Sequence, residues 1–226
     1  MAQVGVVIMA KMPQAGAVKT RLCPPLTSEE ATELYRCFLL DKISQVRTLR
    51  AATPVIAYTP LEGRSLFAAL APGFVLVPQQ GADLGARLAN CFAHLFAAGY
   101  TGVLAIDSDS PTLPTDFLQQ AVDLIATPQT DVVLGPSDDG GYYLIGLRQL
   151  HRELFENMAW STAVVAAETV RRAAAKRLKI AWLPPWFDID TPADLERLQA
   201  MLAPMDGLEP QQTRQFFQAV HRRLSA

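Results

Sequence analysis

Little in this sequence suits crosslinking or soft-metal chemistry. Its 226 residues hold three cysteines, Cys23, Cys37 and Cys91, scattered and with no C-x-x-C and no neighbouring histidine pair. That argues against a disulfide framework and a structural zinc site. The three histidines, His94, His151 and His221, fall within predicted helices or at a helix start, so no histidine constellation is expected. No apolar run approaches bilayer-spanning length, and the N-terminus lacks a charged segment followed by a long apolar core. A cytoplasmic protein with no membrane partner is expected. A basic block of helical length is also missing and the net charge is −2, which does not favour nucleic acid. Acidic residues are absent before Glu29.

Several familiar signatures are missing as well. Gly16-Ala17-Val18-Lys19-Thr20 has the outline of a P-loop ending, but a P-loop needs Gly immediately before Lys and the chain has Val18. No G-x-G-x-x-G follows any predicted strand, so a dinucleotide fingerprint is excluded, and there is no nucleophilic Ser in G-x-S-x-G. A haloacid-dehalogenase-type phosphohydrolase would place Asp-x-Asp directly after the first strand, where this chain has Ala10-Lys11.

What is present is apolar material in a regular order. Half of the residues are hydrophobic and 19% charged, enough for a large core. Strands are predicted at Val4–Met9, Pro54–Tyr58, Phe74–Val77, Val103–Ile106, Val132–Leu134, Tyr142–Leu147 and Ile180–Leu183. Several are apolar throughout, as when both sheet faces are covered. Helices lie between them. Thr27 and Glu30 form a capping box ahead of a face marked by Ala31, Tyr35, Leu39, Ile43 and Val46. Asp83 can cap a helix through Leu88, Phe92 and Leu95, and Ser161 or Thr162 one through Val164, Val165 and Val170. Thr191-Pro192 starts another, with Asp194 in its first turn. The alternation implies an α/β fold, doubly wound on a mostly parallel sheet. Residues 1–202 are expected to form one domain. Pro204 to Pro210 reads as a linker to a last helix ending near Leu224, which packs on the domain or on a second subunit.

The loop from Lys11 to Arg21 follows the first strand directly. It carries Lys11, Lys19 and Arg21 with no local acid to neutralise them. It is either a solvated surface loop or a cradle for an anion such as a polyphosphate. Asp107-Ser108-Asp109, Asp138-Asp139-Gly140-Gly141 and Asp188-Ile189-Asp190 lie in loops beside predicted strands. Each pair has a plain turn role open to it: Asp109 precedes Ser110-Pro111, and Asp190 can support the Thr191 cap. Carboxylates gathered at the sheet edge beside a cationic loop also suit Mg²⁺, which takes one or two carboxylates plus water and phosphate oxygens.

Six ordered segments, Lys11–Leu22, Gln80–Arg87, Asp107–Pro111, Gly135–Gly146, Trp160–Thr162 and Asp188–Leu195, resemble the bacterial rSAM/selenodomain-associated transferases. That family is a branch of the nucleotide-diphospho-sugar transferase (GT-A) superfamily, similar to the molybdenum-cofactor and phospholactate guanylyltransferases. The resemblance implies a GT-A fold, a Rossmann-like sheet with helices on both faces, and Mg²⁺ (or Mn²⁺) as cofactor. It places Lys11, Gly16, Lys19, Arg21, Gln80, Gly81 and Arg87 against the nucleotide. Asp109 becomes the metal ligand, completed by Asp188 or Asp190, whereas Asp107 stands where many relatives have Gly. Gly85, costly at a helix start, fits a close backbone approach to a ligand.

Lys19, Arg21 and Asp139 are the catalytic candidates. The implied reaction is Mg-dependent nucleotidyl transfer from a nucleoside triphosphate to a phosphorylated small molecule. Glycosyl transfer from a nucleotide-sugar, with Asp139 or Asp138 as base, is the alternative, and non-catalytic nucleotide binding a third reading. An oligomer is compatible with the sequence.

Overall fold

A computed structural model describes residues 3–203 and 210–224, with side chains of the last helix described through residue 220. Its strands and helices, in chain order, are β1 (Val4–Lys11), α1 (Ser28–Arg47), β2 (Ala52–Thr59), α2 (Arg64–Leu70), β3 (Val75–Pro78), α3 (Leu84–Ala97) and β4 (Gly102–Ile106). They continue as α4 (Thr115–Ile125), β5 (Val132–Pro136), β6 (Tyr142–Leu147), α5 (Val165–Ala175), β7 (Ile180–Trp182), α6 (Pro192–Leu202) and α7 (Gln211–Leu224). All seven predicted strands exist. The expected linker at 204–210 lies outside the described residues except for Pro210.

The seven strands form one sheet in the order β3-β2-β1-β4-β6-β5-β7, in which only β6 runs antiparallel to its neighbours. The order reverses between β1 and β4, which leaves a crevice beyond their carboxyl ends. The apolar strands are buried from both sides. Val6, Ile8 and Leu104 pack on one face with Leu39, Ile43 and Leu118. Val7, Val103 and Ile145 pack on the other with Leu88, Phe92 and Phe155.

Caps form where the sequence places both partners close together. Thr27 accepts from the Glu30 amide and Glu30 from that of Thr27, and Thr191 and Asp194 repeat the box. Asp83 caps α3 by accepting from Ala86 N–H. The expected cap of α5 does not form. Thr162 Oγ1 donates to Ala159 O, Ser161 is left-handed (φ 61°), and the helix starts after Val164 without a side-chain cap.

Helix α1 is buried beyond its predicted stripe. Leu34, Cys37 and Phe38 on its far side join Leu195 and Leu198 of α6 and Phe216 of α7 in a third apolar cluster. The last helix therefore packs on the domain. Asp41 of α1 caps it, accepting from the amides of Gln212 and Thr213 at 2.8 and 2.9 Å and from Thr213 Oγ1 at 2.6 Å.

An Asp41→Ala variant should lose about 1–2 kcal/mol and melt roughly 2–8 °C lower, with faster amide exchange concentrated at the start of α7. Wild-type exchange there would show that the carboxylate does not seat the helix.

Candidate functional site

The loop after β1 is held at both ends by its backbone and pinned in between by apolar side chains. Met12 N–H donates to Thr59 O at 2.7 Å, and Leu22 N–H to Lys19 O at 3.0 Å. Val18 and Leu22 are buried, and Lys19 between them adopts a left-handed backbone (φ 48°) ahead of a 3₁₀ turn at Thr20–Leu22. The Lys19 side chain, 5% exposed, thus runs inward. Its ammonium donates to Asp109 Oδ2 at 2.6 Å and Asp190 Oδ1 at 2.7 Å. Arg21 meets the other Asp190 oxygen at 3.3 Å. The three cations are therefore not all free, as the local sequence suggested: acids from distant loops pair two of them. Lys11 is exposed and has no ion pair among the described residues.

The partners of Lys19 come from two strand ends joined through backbone, with Ile189 N–H donating to Asp109 O at 3.1 Å. The loop after β4 is pegged to α1. Tyr35 Oη accepts from Lys11 N–H and shares a hydrogen bond with Ser108, each at 3.0 Å. The fully buried Lys42 donates to Ser110 O at 3.0 Å and lies 3.8 Å from Asp107. Asp107 accepts from Ser110 Oγ at 2.5 and 2.6 Å. Asp107 is thus part of the support beneath Asp109. Asp190 is not the helper of the Thr191 cap that it could have been; Asp194 does that, also accepting from Asp190 N–H. Asp188 accepts from Ser137 Oγ at 3.2 Å.

The crowding shifts several protonation equilibria. Burial, joined by Asp109 and Asp190, pushes the Asp188 carboxyl up to about 7. Burial also raises Asp107 to about 6, opposed by Lys42 and reinforced by Asp109. Burial opposes ionisation of Lys19 and of Asp190, yet Asp109 and then Asp190 raise the lysine, and Lys19 lowers the Asp190 carboxyl. Lys42 is lowered by burial, with Asp107 working against the shift.

Two recesses flank the Arg21–Asp190 pair, and both residues line each of them. The first, about 350 Å³, is walled by Lys11, Lys19 and Asp109 and, on its apolar side, by Met9, Leu84 and Tyr142. The second, about 400 Å³, is walled by Asp138, Asp139, Asp188, Ser161, Thr162 and Arg197. Its floor is tightly built. Gly140 (φ 87°) sits where a Cβ would come within 2.2 Å of Ala163 O, a position only glycine tolerates. Asp139 accepts from Gly141 N–H at 2.8 Å. Asp138 pairs at 2.8 Å with Arg197, whose guanidinium lies 3.6 Å from the centre of the Phe187 ring.

Gln80, Gly81 and Arg87 do not line the first recess; their segment leads into Leu84, which does. Arg87 Nε donates to Gly81 O and Asn90 to Gln80 O. Gly16 lies exposed in the loop (φ 74°). Gly85 is a packing glycine: a Cβ there would meet Phe155 O at 2.3 Å and Trp160 Nε1 at 2.8 Å. Sequence reasoning missed Lys42, Tyr35, Ser110 and Arg197. Lys42 carried a signal, since it falls with Leu39 and Val46 on the apolar stripe of α1.

Among the described residues, no group of three or more His, Cys, Asp or Glu side chains is assembled for a metal ion. The donor chemistry nevertheless fits a hard cation. Two carboxylate oxygens converge on one ammonium, and Mg²⁺ would need no more than one or two carboxylates beside phosphate and water.

A family model described as an uncharacterised protein conserved in bacteria, DUF2064, matches residues 42–162. The chain belongs to this family. A crystal structure of a protein from Desulfovibrio desulfuricans G20, provisionally named a nucleotide-diphospho-sugar transferase, is 32% identical with a TM-score of 0.89, over 98% of this chain and 96% of that one. The fold is thus that of a nucleotide-diphospho-sugar transferase. More distant likenesses concern the fold alone. CMP:2-keto-3-deoxy-manno-octonic acid synthetase complexed with CTP has a TM-score of 0.57 at 12% identity, covering 89% of this chain and 99% of its own. Rv0371c of Mycobacterium tuberculosis H37Rv, complexed with manganese, has a TM-score of 0.52 at 18% identity, over 89% and 100%. No curated protein matches the chain. Among the described residues, no helix is long and apolar enough to cross a membrane.

The raised Asp188 and Asp107 carboxyls keep protons that the unfolded chain has already lost. Their contribution to stability is full below about pH 4 and is lost as pH rises through about 6 and 7. Metal-free protein in chelator should therefore be less stable to urea at about pH 8 than at about pH 5, and Asp188→Asn should flatten that decline. An unchanged slope in the variant would remove Asp188 as its source.

Proposed function

We propose that the protein is a divalent-cation-dependent nucleotidyltransferase, acting on a nucleoside triphosphate and a phosphorylated small molecule. The observation that supports this best is the convergence of Lys19 and Arg21 with Asp109 and Asp190 in the crevice between β1 and β4. Open α/β sheets bind ligands at such a reversal of strand order. The names of two fold relatives, one with CTP and one with manganese, agree with this chemistry.

The first recess takes the donor. Lys11, Lys19 and Arg21 hold its phosphates; Gly16, Gln80, Gly81 and Arg87 lie outside the recess and would meet only the part of a nucleoside that extends beyond Leu84. Asp109 and Asp190 hold the cation, with Asp188 beside them. When bound, the ion supplies charge neutralisation at the phosphate oxygens. An acceptor phosphate oxygen attacks the α-phosphorus, and the bond to the departing pyrophosphate breaks. Lys19 and Arg21 stabilise the charge gathering there. An ionised phosphate nucleophile needs no base.

Glycosyl transfer from a nucleotide-sugar is the second reading, favoured by one observation. The second recess is walled by Asp138 and Asp139, and Gly141 N–H seats the Asp139 carboxylate there at 2.8 Å. Asp139 or Asp138 is then the base for a hydroxyl acceptor.

Melting curves against a panel of nucleoside triphosphates and nucleotide-sugars, with and without Mg²⁺, separate these readings. A ligand at a hundred times its Kd stabilises by about 2.7 kcal/mol. A Mg²⁺-dependent shift with a triphosphate supports nucleotidyl transfer, and one with a nucleotide-sugar alone supports the second reading. Metal-independent binding without turnover leaves a non-catalytic protein. With the active donor, Asp109→Ala should lower pyrophosphate release by about a hundredfold or more while the far-ultraviolet spectrum stays native. Unchanged release would take Asp109 out of the mechanism.

A further inference from the structure

Lys19 occupies the place between Asp109 and Asp190 that the inferred cation would need. We propose that Lys19 is a resident counter-cation of this carboxylate pair, so that the site admits a divalent ion only together with a polyphosphate that draws the ammonium away. This rests on the metal site inferred above and adds the form in which its substrate is taken, a metal–polyphosphate complex.

Charge balance decides the point. Lys19 and Arg21 meet Asp109 and Asp190 at 2.6, 2.7 and 3.3 Å, Lys42 lies 3.8 Å from Asp107, and Asp188 has Ser137 as its hydrogen-bond donor, so the pair that would take the ion is already compensated. A bare dication entering that set would meet a compensated pair and a buried ammonium at contact distance. In a partly desolvated pocket such like-charge repulsion is strong. A polyphosphate arriving with the ion reverses the balance: its oxygens offer the ammonium a new partner and leave the carboxylates to the ion.

The local structure allows the exchange without refolding. Val18 and Leu22 keep the backbone pinned, while the four-carbon lysine stem can turn between the carboxylates and the first recess, which it already lines. Arg21 is exposed and engages only the outer oxygen of Asp190. It can follow the phosphates with little cost in burial.

The test uses Mn²⁺ alone as probe, measured by titration calorimetry or by the paramagnetic resonance signal of free Mn²⁺. Removing a competing cation leaves two carboxylates uncompensated, so Lys19→Met should bind Mn²⁺ at least about tenfold more tightly than wild type. Arg50→Met removes one positive charge from the exposed turn ahead of β2, at the opposite end of the strands from either carboxylate, and should stay within about twofold of wild type. Equal affinity in wild type and Lys19→Met, or equal tightening in both variants, overturns the proposal.

A second measurement needs no variant. In ¹⁵N-labelled wild-type protein, the Lys19 ammonium resonance should persist with Mg²⁺ alone. It should shift or vanish with Mg²⁺ plus inorganic tripolyphosphate. Displacement by Mg²⁺ alone refutes the exchange.

These outcomes are separable from the nucleotidyl-transfer reading. Wild-type affinity in Lys19→Met, with pyrophosphate still released by the wild type, removes the exchange only. No Mn²⁺ binding in any form, with or without tripolyphosphate, removes the metal site and the exchange with it.

Discussion

Four carboxylates, Asp107, Asp109, Asp188 and Asp190, reach the same edge of one sheet, and much of the surrounding structure keeps that concentration of charge tolerable. Lys42 compensates from below through a helix, Lys19 from within through a loop, and Arg21 from the solvent side. Asp188 has Ser137 as its hydrogen-bond donor and no ion pair among the described residues, and it is the carboxyl driven closest to neutrality. Isolated buried charge is costly, so these partners are a condition of the fold as well as a preparation for chemistry.

The architecture was legible in the sequence because the sheet is covered on both faces. Continuous apolar runs as short as Val4–Met9 suit a strand buried from both sides, and parallel strands gather their following loops at one edge. That was enough to bring Asp109 and Asp190 to Lys19 across 90 and 171 residues of sequence. Caps were legible where both partners sit within one turn, as at Thr27 and Thr191. They failed at Thr162, where a nearby carbonyl outcompeted the helix amides.

What escaped was whatever depends on a second contact surface. Leu34, Cys37 and Phe38 lie off the predicted stripe of α1, and α6 and α7 cover them. Gly85 read as a ligand-facing glycine until Phe155 and Trp160 fill the space. Lys42, a charge on an apolar stripe, makes sense only once the loop after β4 is seen above it. In each case the residue type was visible and its partner was far away in the chain.

The two recesses sharing Arg21 and Asp190 differ in character, with an apolar wall on one side of that pair and a polar, acid-rich pocket on the other. The loops that form them differ in how they are held. The first is pinned by buried Val18 and Leu22, the second by the tight seat of Gly140 against Ala163. Helix α1 has a further consequence. Tyr35 and Lys42 on it fix the loop carrying Asp109, while Asp41, between them in sequence, seats the terminal helix. The position of Asp109 therefore depends on a helix that lies behind the loop. One helix thus ties the loop of Asp109 to the terminal helix, so a change in α1 reaches both ends of the molecule at once.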